Sequence, residues 1–417
     1  MKKIADTGNE QNSFTFCVGP VHPALKEPLQ FTFKIEGERV KKVDFMLSHV
    51  HRGIEWMGTR RNPIQIIYLA ERICGICNIS HPFAFCRAVE SVAGIEVPPR
   101  AEYIRTINAE LERIHSHLLW AGIAAHELGF DSVLHYILKA RERVLDIIEY
   151  ITGNRITKGI MMIGGVRRDI SKKQYRKIIE AMEYYKKQVK KISDILLKDH
   201  VVKARTINTG ILSKADAIKL CAVGPTARAS GVKRDVRQDE PYAAYKYLDV
   251  EAITPATIGK ETRGDVYDRT LVRLAEIRQS VNIIVECLKS MPEGKIAYED
   301  KIPKLLAELK SVEGEGIGRH EAPRGEVLHY IKLIGNETLF SWKVRAPTYA
   351  NLLSWVPMLL GAQIADIPII AASTDPCLSC TNRAVITKHG KHVVIDHEAL
   401  HELSVKKTLA LRKVKHD

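Results

Sequence analysis

Apolar and polar residues first alternate at residues 29–48, LQFTFKIEGERVKKVDFMLS, where two runs of period two flank a Glu-Gly pair. Successive strand side chains point to opposite faces, so this pattern predicts a β-hairpin. From about residue 64 the spacing becomes helical. In AEYIRTINAELERIHSHLLW, Ile104, Ile107, Leu111, Ile114 and Leu118 recur at steps of three and four, which lines them along one helix face. Similar patterns predict long helices over about 131–152, 172–197, 263–290 and 350–362. The expected fold class is α+β and mainly helical, with long helices around a core and a small N-terminal β-sheet.

The most hydrophobic late stretch, LLSWVPMLLGAQIADIPIIAAS, is interrupted by Pro357, Gln363, Asp366 and Pro368. A lipid-spanning helix needs about 20 mostly apolar residues, so this stretch reads as a buried helix followed by a buried strand. Three loops rich in Gly, Pro and Arg lie between the helices: MIGGVRRD, GPTARASGVKRDVR and GEGIGRHEAPRGE. On a rigid scaffold such loops serve either as connectors or as places for a site. After Arg383 the pattern predicts a hairpin, AVITKHGKHVVID, and a short basic helix ending at Asp417.

A chain of 417 residues with 45% hydrophobic and 27% charged positions has the balance of a soluble globular protein, with room for one large domain or two to three smaller ones. The opening MKKIADTGNEQNSF carries no apolar run behind its lysines, so no secretory signal is expected and the cytoplasm is the expected compartment. A net charge of +14 brings nucleic acid and membrane surfaces into consideration. The lysines and arginines are spread along the chain beside acidic residues, as in KARERVLDIIE, so a solvated basic surface is favoured and no nucleic-acid partner is expected. No internal repeat or low-complexity tract is evident.

Eight cysteines are too few for a disulfide framework in a chain of this length, but four of them form two CxxC pairs, ERICGIC at 71–77 and DPCLSC at 375–380. A CxxC spacing lets two thiolates converge on one ion, and two pairs give four soft ligands joining distant parts of the fold. Three readings compete. Structural zinc usually takes pairs within about 15–20 residues of each other. A thioredoxin-like redox pair needs a βαβ context, which is missing. A nickel-iron centre is the third, and spacing alone does not choose. Cys17, Cys86, Cys221 and Cys287 have no paired spacing and read as small buried residues. HEALH at 397–401 fits the HExxH zinc-protease pattern, but no third ligand follows it. Glu112 and His115 form one ExxH where a di-iron bundle needs two, and they read as packed or surface residues.

The residues around the cysteines resemble a known family. RICGICNISH, with His81 four after the second cysteine, and DPCLSC near the C-terminus look like the paired signatures of NiFe hydrogenase large subunits. GPVHPALKEP, HRGIE, GGVRRD, GPTARASG, GDVYDR and EAPRGE extend the resemblance from about residue 18 to 390. Within that family the chain most resembles the catalytic large subunit of archaeal membrane-bound, energy-converting hydrogenases. These are related to the quinone-module subunit of complex I, which shares several motifs but lacks the four cysteines.

The resemblance implies a NiFe centre, with the iron carrying carbon monoxide and cyanide. Cys74 and Cys377 would be terminal nickel ligands, while Cys77 and Cys380 would bridge to the iron. It implies Glu27 as the proton-transfer carboxylate, Arg324 over the open metal face, Thr348 as a donor to cyanide and His81 as a partner of a cysteine sulfur. Glu55 aligns with a carboxylate that holds magnesium in related hydrogenases. Without the resemblance these residues read as a surface glutamate, a salt-bridged arginine, a loop threonine and a packed core histidine. It further implies a small subunit with an iron-sulfur cluster, ferredoxin reached through partner subunits, membrane antiporter-like subunits that move ions, and a place on the cytoplasmic face of the membrane. Residues 1–383 would form the catalytic domain. Arg383 stands where many hydrogenases have histidine, and residues 384–417 would be a tail removed by a maturation protease after nickel insertion. The alternatives are a quinone-module subunit without hydrogenase activity and a structural zinc protein.

Overall fold

The computed structural model describes residues 13–414 apart from 23, 24, 26, 48, 382–386, 389, 390 and 394, so Arg383 lies outside the described residues. The predicted hairpin forms as β2 (Gln30–Glu36) and β3 (Arg39–Met46), and β1 (Ser13–Val18) adds a third antiparallel strand. Its inward face, Phe31, Phe33, Ile35, Val40 and Val43, is buried. Phe31 packs on Trp355, with ring centroids 5.0 Å apart, which fastens the sheet to the C-terminal third of the chain.

The helix Pro99–Glu127 runs through the middle of the molecule and packs against Asp131–Thr152 and Val266–Ser290. It is buried on nearly every face, not only along the stripe from Ile104 to Leu118. Its polar residues must therefore be satisfied inside the protein, because an unpaired buried charge is strongly unfavourable. Glu110 accepts from Tyr245 Oη at 2.5 Å and pairs with Arg113 at 3.2 Å and Arg237 at 3.1 Å. His117 meets Glu276 at 2.9 Å, and Glu276 pairs with Arg228 at 2.8 Å. Glu112 and His115, the ExxH pair, are likewise buried. The helix Lys172–Lys198 completes the bundle with Ile178, Met182, Tyr185, Val189, Ile192 and Leu196 facing inward.

Three expectations need correction. GEGIGRHEAPRGE is not a loop: it contributes β6 (Glu313–Ala322) and the turn into β7 (Gly325–Ile334), which together with β8 (Ser341–Arg345) form a second three-stranded antiparallel sheet, following the two-residue strands β4 (Met161–Met162) and β5 (Gly165–Val166) of MIGGVRRD. The glycines are there because β6 lies directly on the helix Ser80–Ala93. A Cβ on Gly318 would come 1.9 Å from the Ala84 carbonyl oxygen. The long helix expected at 350–362 is broken into Pro347–Asn351, a 3-10 turn at Leu352–Ser354, and Trp355–Leu359, with Gly361 just beyond. The strand expected after it is the helix Ile367–Ser373, with Pro368 in its first turn, where the missing N–H costs nothing. Among the described residues no helix is long and apolar enough to cross a membrane.

Candidate metal centre

Cys74 and Cys77 lie on the connection between the helices Pro63–Glu71 and Ser80–Ala93. Glu112 fixes the end of that connection: it accepts the backbone N–H of Ile79 at 2.6 Å and of Ser80 at 3.1 Å, and also the Ser80 hydroxyl. These are orphan donors at a helix start, where a carboxylate is also favoured by the helix dipole. Lys158 Nζ, 3.5 Å away, balances its charge.

The second pair follows the helix Ile367–Ser373, and a 3-10 turn at Leu378–Cys380 brings Cys380 back towards Cys377. Thr348 Oγ1 accepts the Cys377 N–H at 3.0 Å. Glu27 accepts the Ser379 N–H at 3.0 Å and the Ser379 hydroxyl. Arg52, from HRGIE, joins the two cysteine loops. It donates to the carbonyl oxygens of Arg72 at 3.0 Å and Ile73 at 2.7 Å on one side and of Ser379 at 2.9 Å on the other.

All four cysteines of the pairs are buried. Cys74 Sγ is 2.8 Å from Cys377 Sγ, which is 3.0 Å from Cys380 Sγ, well beyond the roughly 2.05 Å of a disulfide. Cys77 lies beside them: its backbone N–H donates to Cys74 Sγ at 3.4 Å, while its own sulfur falls outside the tight cluster that the other three form. Hydrogen bonds from Cys377, Cys380 and Cys77 hold the Cys74 thiol well below its usual range, whereas the bonds Cys380 gives to Cys377 and Cys74, with its burial, push Cys380 well above it. Four buried sulfurs cannot all ionise against one another without cations among them. A set of four thiolates suits soft transition metals, so these residues fit such a group. Among the described residues, Cys74, Cys377 and Cys380 are the one cluster of three or more ligand-type side chains within 4.8 Å of one another.

Arg324, in the β6–β7 turn, supplies a buried positive charge. Its Nη1 donates to Cys77 Sγ at 3.3 Å and Ser116 Oγ at 3.1 Å, while Nη2 and Nε donate to Asp375 Oδ1 and to the Asp375 carbonyl oxygen, both at 2.7 Å. Asp375 itself takes a positive φ of 56° just before Pro376, a costly conformation for a non-glycine residue that turns its carboxylate onto Arg324. His81 Nε2 sits 3.4 Å from Cys380 Sγ. An apolar cavity of about 270 Å³ reaches Cys377 and Arg324 between Leu29, Ile76, Trp120 and Trp355.

The predicted residues Glu27, His81, Arg324, Thr348 and the four cysteines thus come together. Glu55 does not join them. Its carboxylate accepts the Val344 N–H at 2.8 Å and faces Lys343 Nζ at 3.5 Å. In HEALH, Glu398 pairs with Arg60 at 2.7 Å and the His401 ring stacks on Trp56 at 5.5 Å, while the His397 side chain lies outside the described residues. Cys86 and Cys287 are buried as expected, but Cys17 and Cys221 are exposed, one on the strand β1 and the other in a turn. Arg52 and Asp375 lay inside quoted motifs without an assigned role. Glu112 carried only the ExxH pattern, and its contacts are long-range.

Burial also holds several histidines neutral: desolvation lowers His81 and His117 to about 4, and His115, His320 and His329 well below their ordinary value. In the unfolded chain histidine titrates near 6.5, so on acidification the unfolded state takes up protons first. Stability is expected to fall as pH drops from about 6.5 towards 4, read as a declining melting temperature. A level melting temperature from pH 6.5 to 5 would contradict neutral buried histidines.

The chain resembles known proteins over nearly its whole length. The family model of the respiratory-chain NADH dehydrogenase 49 kDa subunit matches residues 127–383, and that of the nickel-dependent hydrogenases matches residues 52–123. It is 48% identical to the membrane-bound hydrogenase subunit alpha of Pyrococcus furiosus, over 94% of this chain and 92% of that one. It is 40% identical to the carbon monoxide-induced hydrogenase of Rhodospirillum rubrum, over 89% of this chain and 100% of the other. A solved chain of the membrane-bound sulfane sulfur reductase, an archaeal respiratory membrane complex, superposes with a TM-score of 0.83 at 30% identity, over 90% of this chain and 99% of that one. Buried thiols gathered from the two ends of the chain, on this fold and with these relatives, place the protein in the family that unites nickel-dependent hydrogenase large subunits with the complex I 49 kDa subunit, in its archaeal membrane-bound, energy-converting hydrogenase branch.

Proposed function

We propose that the chain is the catalytic subunit of a membrane-associated NiFe hydrogenase that reduces protons to dihydrogen reversibly. Electrons would come from ferredoxin through a small subunit carrying an iron-sulfur cluster, and antiporter-like membrane subunits would couple the reaction to ion movement at the cytoplasmic face. The observation that carries this reading is the meeting of the buried Cys74, Cys377 and Cys380 sulfurs from distant parts of the chain, with the buried Cys77 thiol beside them on the Arg324 guanidinium.

Cys74, Cys77, Cys377 and Cys380 would together hold nickel and an iron that carries carbon monoxide and cyanide. When bound, that centre supplies the two-electron chemistry of dihydrogen. The chain supplies the surroundings. Arg324 offers fixed positive charge in a water-poor site, where it acts more strongly than in solvent. The Thr348 hydroxyl accepts from Cys377 and keeps its own proton free to donate to a cyanide. The mostly apolar cavity beside Cys377 would suit a small uncharged gas. Glu27, half-buried and bonded to Ser379 between the two C-terminal ligands, is suited to carry protons to and from the sulfurs. Glu27→Gln is expected to keep the Ser379 contact and the metal but to slow turnover about 10²-fold or more, the usual scale of general acid-base assistance. Hydrogen-dependent viologen reduction, compared at equal nickel content, reads this.

Residues 384–417 are read as the maturation tail, removed by a protease after Arg383. The reading as a whole is tested by metal analysis and infrared spectroscopy of the assembled complex, with an intact mass of the same preparation. Nickel and iron with cyanide and carbonyl bands, and a chain ending at Arg383, are the expected results. Zinc alone without such bands would refute the proposal. A complex that reduces quinone but shows no hydrogen-dependent viologen reduction would favour the quinone-module alternative.

A further inference from the structure

Behind His81 lies a chain of hydrogen bonds that the proposed chemistry does not use. Trp342 Nε1 is 3.1 Å from His329 Nδ1, His329 Nε2 is 3.0 Å from His81 Nδ1, and His81 Nε2 is 3.4 Å from Cys380 Sγ. All three side chains are buried. Indole N–H can only donate, so His329 Nδ1 must accept. Neutral His329 then carries its proton on Nε2 and donates to His81 Nδ1. His81 in turn carries its proton on Nε2, pointing at the sulfur. One fixed donor at the far end thus sets the tautomer of both imidazoles.

The indole is itself locked in place. Trp342 packs edge-on against Phe85, with centroids 5.7 Å apart, and a Cβ on Gly58 would come 2.1 Å from its ring. Trp342 and His329 belong to neighbouring strands, β8 and β7, whose register pairs Ile331 with Trp342 and His329 with Val344. The relay is therefore held by the sheet, not by a mobile loop.

Resting on the NiFe reading above, we propose that Trp342 and His329 are positioning residues that make His81 a permanent N–H donor to the Cys380 sulfur and close this side of the centre to proton transfer. A proton leaving the sulfur towards His81 would need Nε2 to accept, and passing it onward would need the indole to accept as well. Neither group can. Protons are left to another path, for which Glu27, bonded to Ser379, is the candidate. The bond to sulfur draws electron density from the thiolate and hence from any metal it holds.

The test uses the assembled complex with Trp342→Phe, His329→Leu and His329→Gln. The first two break the relay, whereas glutamine retains an amide N–H in the place of Nε2. At unchanged nickel content, Trp342→Phe and His329→Leu are expected to move the cyanide and carbonyl bands to lower wavenumber, and His329→Gln to return them towards the unaltered positions. Bands that stay put in both disrupting variants, or that move equally in all three, would overturn the proposal. A second readout needs no metal. Nitrogen-15 shifts of histidine-labelled full chain before metal loading are expected to show His81 and His329 both protonated on Nε2, and Nδ1 protonation of either would also overturn it. If the unaltered complex lacks nickel, the functional reading fails, and these shifts still decide the relay.

Discussion

Cys377→Ser is expected to remove nickel and to bring hydrogen-dependent viologen reduction to background. Cys377 stands at the middle of the sulfur cluster, 2.8 Å from Cys74 and 3.0 Å from Cys380. A serine hydroxyl keeps its proton at neutral pH and is a hard donor where a soft thiolate is required. Loss of an outer partner of a metal ligand already costs roughly 10–100-fold in affinity or activity, so loss of a ligand should cost more. The fold should survive: serine is smaller, and the contact that anchors this residue, Thr348 to the Cys377 N–H, is made by the backbone. Metal content, viologen reduction and the melting curve of the metal-free chain check the three statements. Retention of nickel would remove Cys377 from the ligand set, whereas loss of zinc in place of nickel would return the protein to the structural-zinc reading.

Arg324→Lys should produce the second largest effect, a fall in turnover of about 10²–10³-fold, the range seen when one preorganised electrostatic donor is lost. The charge is kept but the fork is not. Arg324 spans Asp375 on one side and both Ser116 and Cys77 on the other, through three nitrogens. A single ammonium cannot reach all of them in that planar arrangement. Arg324→Met goes further by leaving the Asp375 carboxylate buried without its cation, a change that typically costs about 3–5 kcal/mol. Lysine should therefore depress activity with nickel and melting temperature nearly intact, while methionine should lower all three. If both variants turned over normally, the guanidinium would be a structural tie between the β6–β7 turn and the DPC segment and nothing more.

The parts of the molecule governed by local chemistry were readable in advance. The period-two runs at 29–48 are strands, and the helices Asp131–Thr152, Lys172–Lys198 and Val266–Ser290 sit close to their expected limits. The reading failed where a neighbour decided the outcome. Gly316 and Gly318 look like loop residues until the Ser80–Ala93 helix is laid against them, and then only glycine fits. The apolar run at 367–373 suited a buried strand as well as a buried helix, and nothing in its spacing could choose. In the site, the cysteines, His81, Glu27, Arg324 and Thr348 were legible through motifs. Glu112, Asp375, Arg52, His329 and Trp342 gained their roles only from partners far away in the chain.

By itself the amino-acid order determined the donor types, the periodicity of the long helices and the two doublets of thiols, because those depend on side-chain chemistry and on spacings of a few residues. Tertiary structure alone decided that the doublets face one another, that Arg52 ties their loops together, and that an indole on the neighbouring strand donates to His329 behind His81. The reason is physical. Hydrogen-bond direction and charge compensation in a buried site depend on which groups surround an atom, and those groups are brought there by packing over some 300 residues of chain.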